Sequence, residues 1–156
     1  MSYTFRGVFT NVGDKSLVLT LKDHKVTVAK FVEGDKCQTW EITFIGDKAE
    51  APLLNKGSGK YIGWDTSFTE ALSVSDDPTY LWQYGPGVAD LVGGKFHFRP
   101  IALTVGPEVY SLVINKTKKT LEFVKRQPID DYAEWTLSYT ARMMEIPEAV
   151  RIVVVP

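Results

Sequence analysis

The sequence predicts an all-β fold made of three similar repeats of about four strands each, with a C-terminal extension. Apolar and polar residues alternate over many short stretches, and glycine and proline punctuate the chain too often for long helices. Each of three blocks also ends on a tryptophan, at a nearly constant distance from the first apolar strand of the block. The intervals are 22, 20 and 22 residues, counted from Val18, Ile62 and Val113 to Trp40, Trp82 and Trp135. Three matched blocks predict that each repeat buries its apolar face against the other two.

The first repeat sets the pattern of elements. A leading strand, "YTFRGVFTN", is followed by the apolar strand that begins after Ser16, a polar turn at residues 22–25 and a second strand, "VTVAKFV". A polar loop then leads to Trp40, where "TWEITF" alternates as a half-buried strand does.

The other two repeats follow the same order. Their leading strands are "EAPLLNKGSG" and "KFHFRPIALTV", their polar turns lie at 65–67 and 115–118, and their second strands are "ALSV" and "LEFV". We predict one domain over residues 1–156, with repeats at about 1–47, 48–92 and 93–139 and a tail at 140–156. Closing the strands into a barrel would remove most exposed strand edges.

Composition limits the function classes. The chain has 156 residues, of which 44% are hydrophobic, and a net charge of −1, so charge gives no reason to expect a nucleic-acid partner. Cys37 is the single cysteine and cannot form an internal disulfide. No segment reads as a signal peptide or as a membrane span of about 18 apolar residues, so we expect a cytoplasmic protein. We also expect no cofactor.

One motif carries a family resemblance. Gln38-Thr39-Trp40 ends the first repeat, and "LLNKGSGKYIGWD" opens the second, with "FTNVGDKSLVL" as a looser version in the first. In these features the chain, over about residues 3–139, resembles the β-trefoil family and specifically its ricin-B-like lectin branch. Members of that branch carry a Gln-x-Trp step near the end of each repeat. The resemblance implies a non-enzymatic, carbohydrate-binding protein whose partners are glycans or glycoproteins.

The chain departs from this family pattern in its polar residues. Tyr80 and Ala133 replace the motif glutamine in the second and third repeats. Ricin-type sugar sites also place an aspartate just after the first strand of a repeat. Thr20 and Ile114 stand at that place in the first and third repeats, so only Asp65 of the second repeat remains as a candidate.

The second repeat therefore holds the candidate sugar site. An aromatic side chain can stack on the apolar face of a sugar while carboxylates bind its hydroxyls, and a few placed polar groups set the specificity. If the turn at 64–65 approaches the loop at 76–80, this chemistry would come together in five residues: Trp64, Asp65, Asp76, Asp77 and Tyr80. The alternative is that Trp64 belongs to the core and that the aspartates are turn residues.

Catalysis finds little support in the sequence. His24 and His97 have no Cys or carboxylate arrangement at metal-ligand spacing around them, and the pairs Asp76-Asp77 and Asp130-Asp131 fall in loops. Because adjacent residues in a strand or loop rarely face each other, these pairs do not predict a glycosidase. We expect no enzyme activity.

Protease inhibition is the alternative function. The chain is similar to fungal β-trefoil protease inhibitors in its size and its lack of disulfides, and "FVKRQPIDD" at residues 123–131 would suit the cleft of a trypsin-like enzyme. Lys125 or Arg126 would enter the specificity pocket, and Pro128 would stiffen the loop. The basic turns at 22–25 and 116–119 are weaker candidates, and a solvated basic turn is the simpler interpretation of each.

The tail offers a third possibility. Residues 152–155 form a continuous run of β-branched apolar residues that would not be left in water. This run could pair with the N-terminal strand, or it could recruit a second copy or a larger protein to which this chain is an accessory subunit. The stretch "TARMMEIPEAV" before it could be a helix, a loop or a single turn.

Overall fold

The computed structural model describes residues 2–64, 73–85, 91, 93–100, 110–125 and 130–138. Its regular structure is β-strand apart from short 3₁₀ turns at Lys36–Gln38 and Asp131–Ala133. The strands in these residues are β1 (Ser2–Asn11), β2 (Leu17–Lys22), β3 (Lys25–Lys30), β4 (Trp40–Ile45), β5 (Glu50–Ala51), β6 (Leu53–Asn55), β7 (Lys60–Gly63), β8 (Ser73–Ser75), β9 (Trp82–Gly85), β10 (His97–Pro100), β11 (Tyr110–Ile114), β12 (Leu121–Lys125) and β13 (Trp135–Ser138). Within the described residues, the structure has no helix that is long and apolar enough to cross a membrane.

Strand pairing closes a barrel. The first half of β1 pairs with β4 and its second half with β13, both antiparallel. From β4 the ladder continues to β6, and β5 pairs with β9, which pairs with β10. A bridge between Phe96 and Trp135 returns the ring to β13. The predicted all-β fold is confirmed, and the ring leaves no open edge within this part of the chain.

Each third of the described chain has the same order of elements. A barrel strand leads into an antiparallel hairpin and then into a barrel strand that begins at a tryptophan. The hairpins are β2–β3, β7–β8 and β11–β12. The leading strand of the second third is split into β5 and β6 because Pro52 has no N–H to donate to the ladder. The expected single strand is therefore two short ones.

The three tryptophans anchor the core in equivalent ways. Trp40, Trp82 and Trp135 are fully buried. The indole N–H of each donates to a backbone carbonyl oxygen in the first hairpin strand of its own repeat. These acceptors are Leu19 at 2.9 Å, Ile62 at 3.3 Å and Leu112 at 3.4 Å. The tryptophan spacing in the sequence therefore reflects one hydrogen bond repeated three times.

An aromatic cluster fills the barrel between these anchors. Phe98 lies at its centre, with its ring 5.1 Å from Phe9, 5.6 Å from Trp135 and 5.8 Å from Tyr84, all edge to face. Such pairs contribute about 0.5–1.5 kcal/mol each beyond the burial of their area. The hydroxyl of Tyr84 donates to the carbonyl of Ala51 at 3.2 Å, and burial raises the pKa of this phenol.

The glutamine of the Gln-x-Trp step has a structural role. Gln38 is buried, and its Oε1 accepts a hydrogen bond from the N–H of Val32 at 2.8 Å. Its Nε2 donates to the carbonyl of Lys30 at 2.9 Å and to the hydroxyl of Thr20 at 3.2 Å. Gln38 thus ties the loop after β3 to the end of the repeat. Ala133 at the equivalent place is also buried but has no side-chain polar group to do this.

Two asparagine side chains each form a hydrogen bond from one repeat to another. Both are buried: Nδ2 of Asn11 donates to the carbonyl of Tyr132 at 2.9 Å, and Nδ2 of Asn55 donates to the carbonyl of Cys37 at 3.0 Å. Tyr132 and Cys37 each lie three residues before a core tryptophan. The asparagines of the two opening stretches, "FTNVGDKSLVL" and "LLNKGSGKYIGWD", therefore each bind the end of another repeat.

Candidate functional site

The structure brings Trp64 and Tyr80 into contact. Trp64 directly follows β7 and Tyr80 lies two residues before β9, and their rings are 5.0 Å apart at an interplanar angle of 78°. Trp64 also packs edge to face on the core residue Trp82 at 5.2 Å. We call Trp64 and Tyr80 the aromatic pair. Both side chains are half-buried, so each supports the fold and also reaches the surface.

A glycine makes room for this contact. A β-carbon on Gly63 would lie 3.0 Å from Cε2 of Tyr80, so the ring rests directly on the backbone of β7. Gly63 has an ordinary φ and is therefore required for space rather than for a special backbone conformation. The Tyr80 ring can occupy this position because residue 63 has no side chain.

The two described aspartates of the predicted site differ. Asp77 caps a turn: its Oδ1 accepts hydrogen bonds from the hydroxyl of Thr79 at 2.6 Å and from the Thr79 N–H at 2.9 Å, which lower the Asp77 pKa. The Asp76 side chain is 86% exposed, and its Oδ1 lies 3.6 Å from Nζ of Lys60. An exposed ion pair of this kind stabilises little, so the Asp76 carboxylate is the more available of the two to a ligand. Asp65 lies outside the described residues.

The equivalent places in the first and third repeats are buried. Thr20 donates its hydroxyl to the carbonyl of Val18 at 2.9 Å and accepts from Gln38, while Ile114 belongs to the core. Neither side chain is open to a ligand. Within the described residues, the equivalent places in the first and third repeats therefore offer no carboxylate to a sugar.

A groove beside the aromatic pair was not foreseen from the sequence. It encloses about 430 Å³ between the outer face of β4, the outer face of β6 and β7, and residues 78–81. We call it the outer groove. Ile45, an apolar residue at the end of β4, is the residue whose position in the sequence pattern indicates an apolar surface there, and it is 67% exposed in the structure. Strand alternation identifies Ile45 as outward-facing, but only the fold brings residues 78–81 opposite it.

The basic turns predicted as inhibitory loops lie partly within the described residues. β12 ends at Lys125, whose side chain, like Arg126 and residues 127–129, lies outside the described part of the chain. In the weaker candidate at 116–119, Nζ of Lys119 binds Asp14 at 2.9 Å and Nζ of Lys116 lies 5.0 Å from the centre of the Tyr132 ring. The first contact reaches the first repeat, and the second lies within the third repeat. The tail at 140–156, with its proposed pairing, is also outside the described residues.

Within the described part of the chain, the histidine of β10 and the single cysteine lie in separate places. His97 is buried in β10, with its ring against the backbone of Gly85. Cys37 is half-buried, and a β-carbon on Gly57 would lie 2.6 Å from its sulfur. Among the residues that the structure describes, no three His, Cys, Asp or Glu side chains are grouped as metal ligands.

Comparison with solved structures supports the architecture. The chain is similar to a GlcNAcα1-4Gal releasing endo-β-galactosidase from Clostridium perfringens (TM-score 0.64, 16% identity), over 85% of this chain and 31% of that one. It is also similar to the designed 3-fold symmetric protein ThreeFoil (TM-score 0.61, 15% identity), over 86% of this chain and 99% of that one. The Rhizoctonia solani agglutinin matches with TM-score 0.64 and 14% identity, over 90% of this chain and 96% of that one.

The closed barrel, the three hairpins and these similarities together show that this protein has the β-trefoil fold. No family model and no curated protein matches the sequence. The predicted fold class and the resemblance to β-trefoil proteins are confirmed.

Proposed function

We propose that this protein is a non-enzymatic carbohydrate-binding protein whose main site is built on the aromatic pair. The observation that carries the proposal is the contact of Trp64 and Tyr80, whose rings are 5.0 Å apart and whose side chains both reach the surface. Half-buried aromatic rings offer an apolar face to a sugar ring, and their fixed positions reduce the entropy lost on binding.

The polar part of the site comes from the aspartates. A carboxylate accepts hydrogen bonds from two hydroxyls at once, and Asp76 projects into solvent beside the turn that Asp77 closes. Asp65, one residue beyond Trp64, completes the proposed set. The similarity in fold to an agglutinin and to a glycan-releasing enzyme supports the same class of ligand.

A glycan array probed with the labelled full-length protein tests this function. We expect selective binding that is lost in Trp64→Ala and strongly reduced in Asp65→Ala. Because Trp64 also packs on Trp82, thermal unfolding must show that Trp64→Ala is folded, and Asp76→Asn provides a variant that leaves the packing intact. An array without signal would reject carbohydrate binding, and full binding by all three variants would reject this site.

A further inference from the structure

The outer groove lies next to the aromatic pair on one continuous surface. Ile62 points into the core, so its neighbours in β7, Tyr61 and Gly63, share the opposite face. Tyr61 lines the groove, while Gly63 carries the ring of Tyr80. Two residues along a strand span about 7 Å, so Tyr61 lies about that far along β7 from the glycine that carries the Tyr80 ring.

The lining of the groove contains both apolar and polar groups. The apolar side chains include Ile45, Leu54, Tyr61, Pro78 and Leu81. Among the polar ones are Thr43, Lys48 and Glu50, which include both donors and acceptors. A lining that combines apolar surface with a few polar groups is complementary to a ring that has an apolar face and a fringe of hydroxyls.

Charge favours a neutral occupant. Glu41, one of the two acidic groups in the groove, is already paired, because Nε and Nη2 of Arg6 both lie 2.7 Å from its Oε2 and Nζ of Lys56 lies at 3.5 Å. Lys48 and Glu50 contribute one charge of each sign. The groove therefore gives neither an anionic nor a cationic ligand a net electrostatic advantage.

We propose that the outer groove is a second subsite of the sugar-binding site, so that the ligand is a chain of two or more neutral sugar residues. One residue binds at the aromatic pair, and the next one lies in the groove against Tyr61 and Leu81. The inference rests on the proposed function. It adds the ligand class: a neutral oligosaccharide segment rather than a single terminal sugar or an acidic glycan.

The test uses an array that presents neutral monosaccharides, neutral oligosaccharides of increasing length and acidic glycans. We expect oligosaccharide signals at least about ten-fold above those of their monosaccharide components, equivalent to about 1.4 kcal/mol. Ile45→Ser and Glu50→Gln should remove this gain and leave the monosaccharide signal unchanged. Val32→Ser is the matched control, since Val32 is also an exposed apolar residue, at 57%, but lies outside the groove.

The outcomes separate the two proposals. Oligosaccharide and monosaccharide signals of equal strength, or groove variants that keep the gain in length, would overturn the second subsite while carbohydrate binding stands. Selective binding of acidic glycans would overturn the neutral ligand class. No binding to any glycan would reject both proposals.

Discussion

The ring of Tyr80 rests on the backbone of Gly63, so closely that a β-carbon there would lie 3.0 Å from the ring. The same ring lies 5.0 Å from Trp64, and Pro78 and Leu81, on either side of Tyr80 in the chain, line the outer groove. A residue without a side chain thus determines where the proposed sugar-stacking surface forms.

Gly63→Ala should displace the Tyr80 ring by a few tenths of an ångström or more and weaken glycan binding several-fold. Near-UV circular dichroism should also change, because the geometry of the aromatic pair changes. The control is Gly59→Ala, which has no atom within 4 Å of the new β-carbon but has a φ of 71°. That variant should lose about 1 kcal/mol of stability through backbone strain and keep its binding. Unchanged binding and dichroism in Gly63→Ala would contradict this role of the contact.

Gln38→Ala should lower the free energy of unfolding by about 2–4 kcal/mol, because it leaves the Val32 N–H and the Lys30 carbonyl without their side-chain partner. Urea denaturation measures the loss. Gln83→Ala, a half-buried glutamine in β9, is the matched control and should cost less than about 1 kcal/mol. Equal losses in the two variants would show that the Gln-x-Trp glutamine has no special structural role here.

Asn55→Ala and Asn11→Ala should each cost about 2–3 kcal/mol, because both side chains are buried and join one repeat to another. Asn115→Ala is the comparison. Asn115 closes a turn through the N–H groups of Thr117 and Lys118, but its amide donates only to the exposed Glu122 at 3.4 Å. Its loss should cost about 1 kcal/mol or less. The prediction fails if Asn115→Ala is as damaging as the buried pair when all three are measured by urea denaturation.

Asp14 should contribute a pH-dependent part of the stability. Hydrogen bonds from Ser16 and then Lys119 lower its pKa from 3.8 to about 2 in the folded protein. Because the folded pKa is the lower one, this stabilisation is present above about pH 4 and is lost as the pH falls towards 2. Asp14→Asn should therefore show a shallower fall in urea midpoint than the wild type over this interval.

Lys119→Gln provides the control for this titration. It removes one of the two groups that lower the Asp14 pKa and leaves the Ser16 hydrogen bonds, so its pH dependence should be intermediate. High salt should reduce the difference between Lys119→Gln and the wild type, since the ion pair is exposed. Identical slopes for wild type and Asp14→Asn would rule out this contribution.

The sequence by itself determined the fold, because the features that specify it are local or periodic. Alternating residues mark the strands, and Trp40, Trp82 and Trp135 recur because each repeat makes the same indole-to-carbonyl hydrogen bond. The sequence pattern predicted one strand around Pro52, where the structure has two. Proline has no N–H for the ladder, so this break also has a local cause in the sequence.

Only the tertiary structure decided the details of the candidate site. It brings Trp64 against Tyr80, sixteen positions later in the chain, and it separates the capping role of Asp77 from the exposed Asp76. The outer groove combines strand faces from two repeats with residues 78–81, and no local pattern encodes that meeting. Periodicity shows which way a side chain points, whereas the residues it faces depend on how the barrel closes.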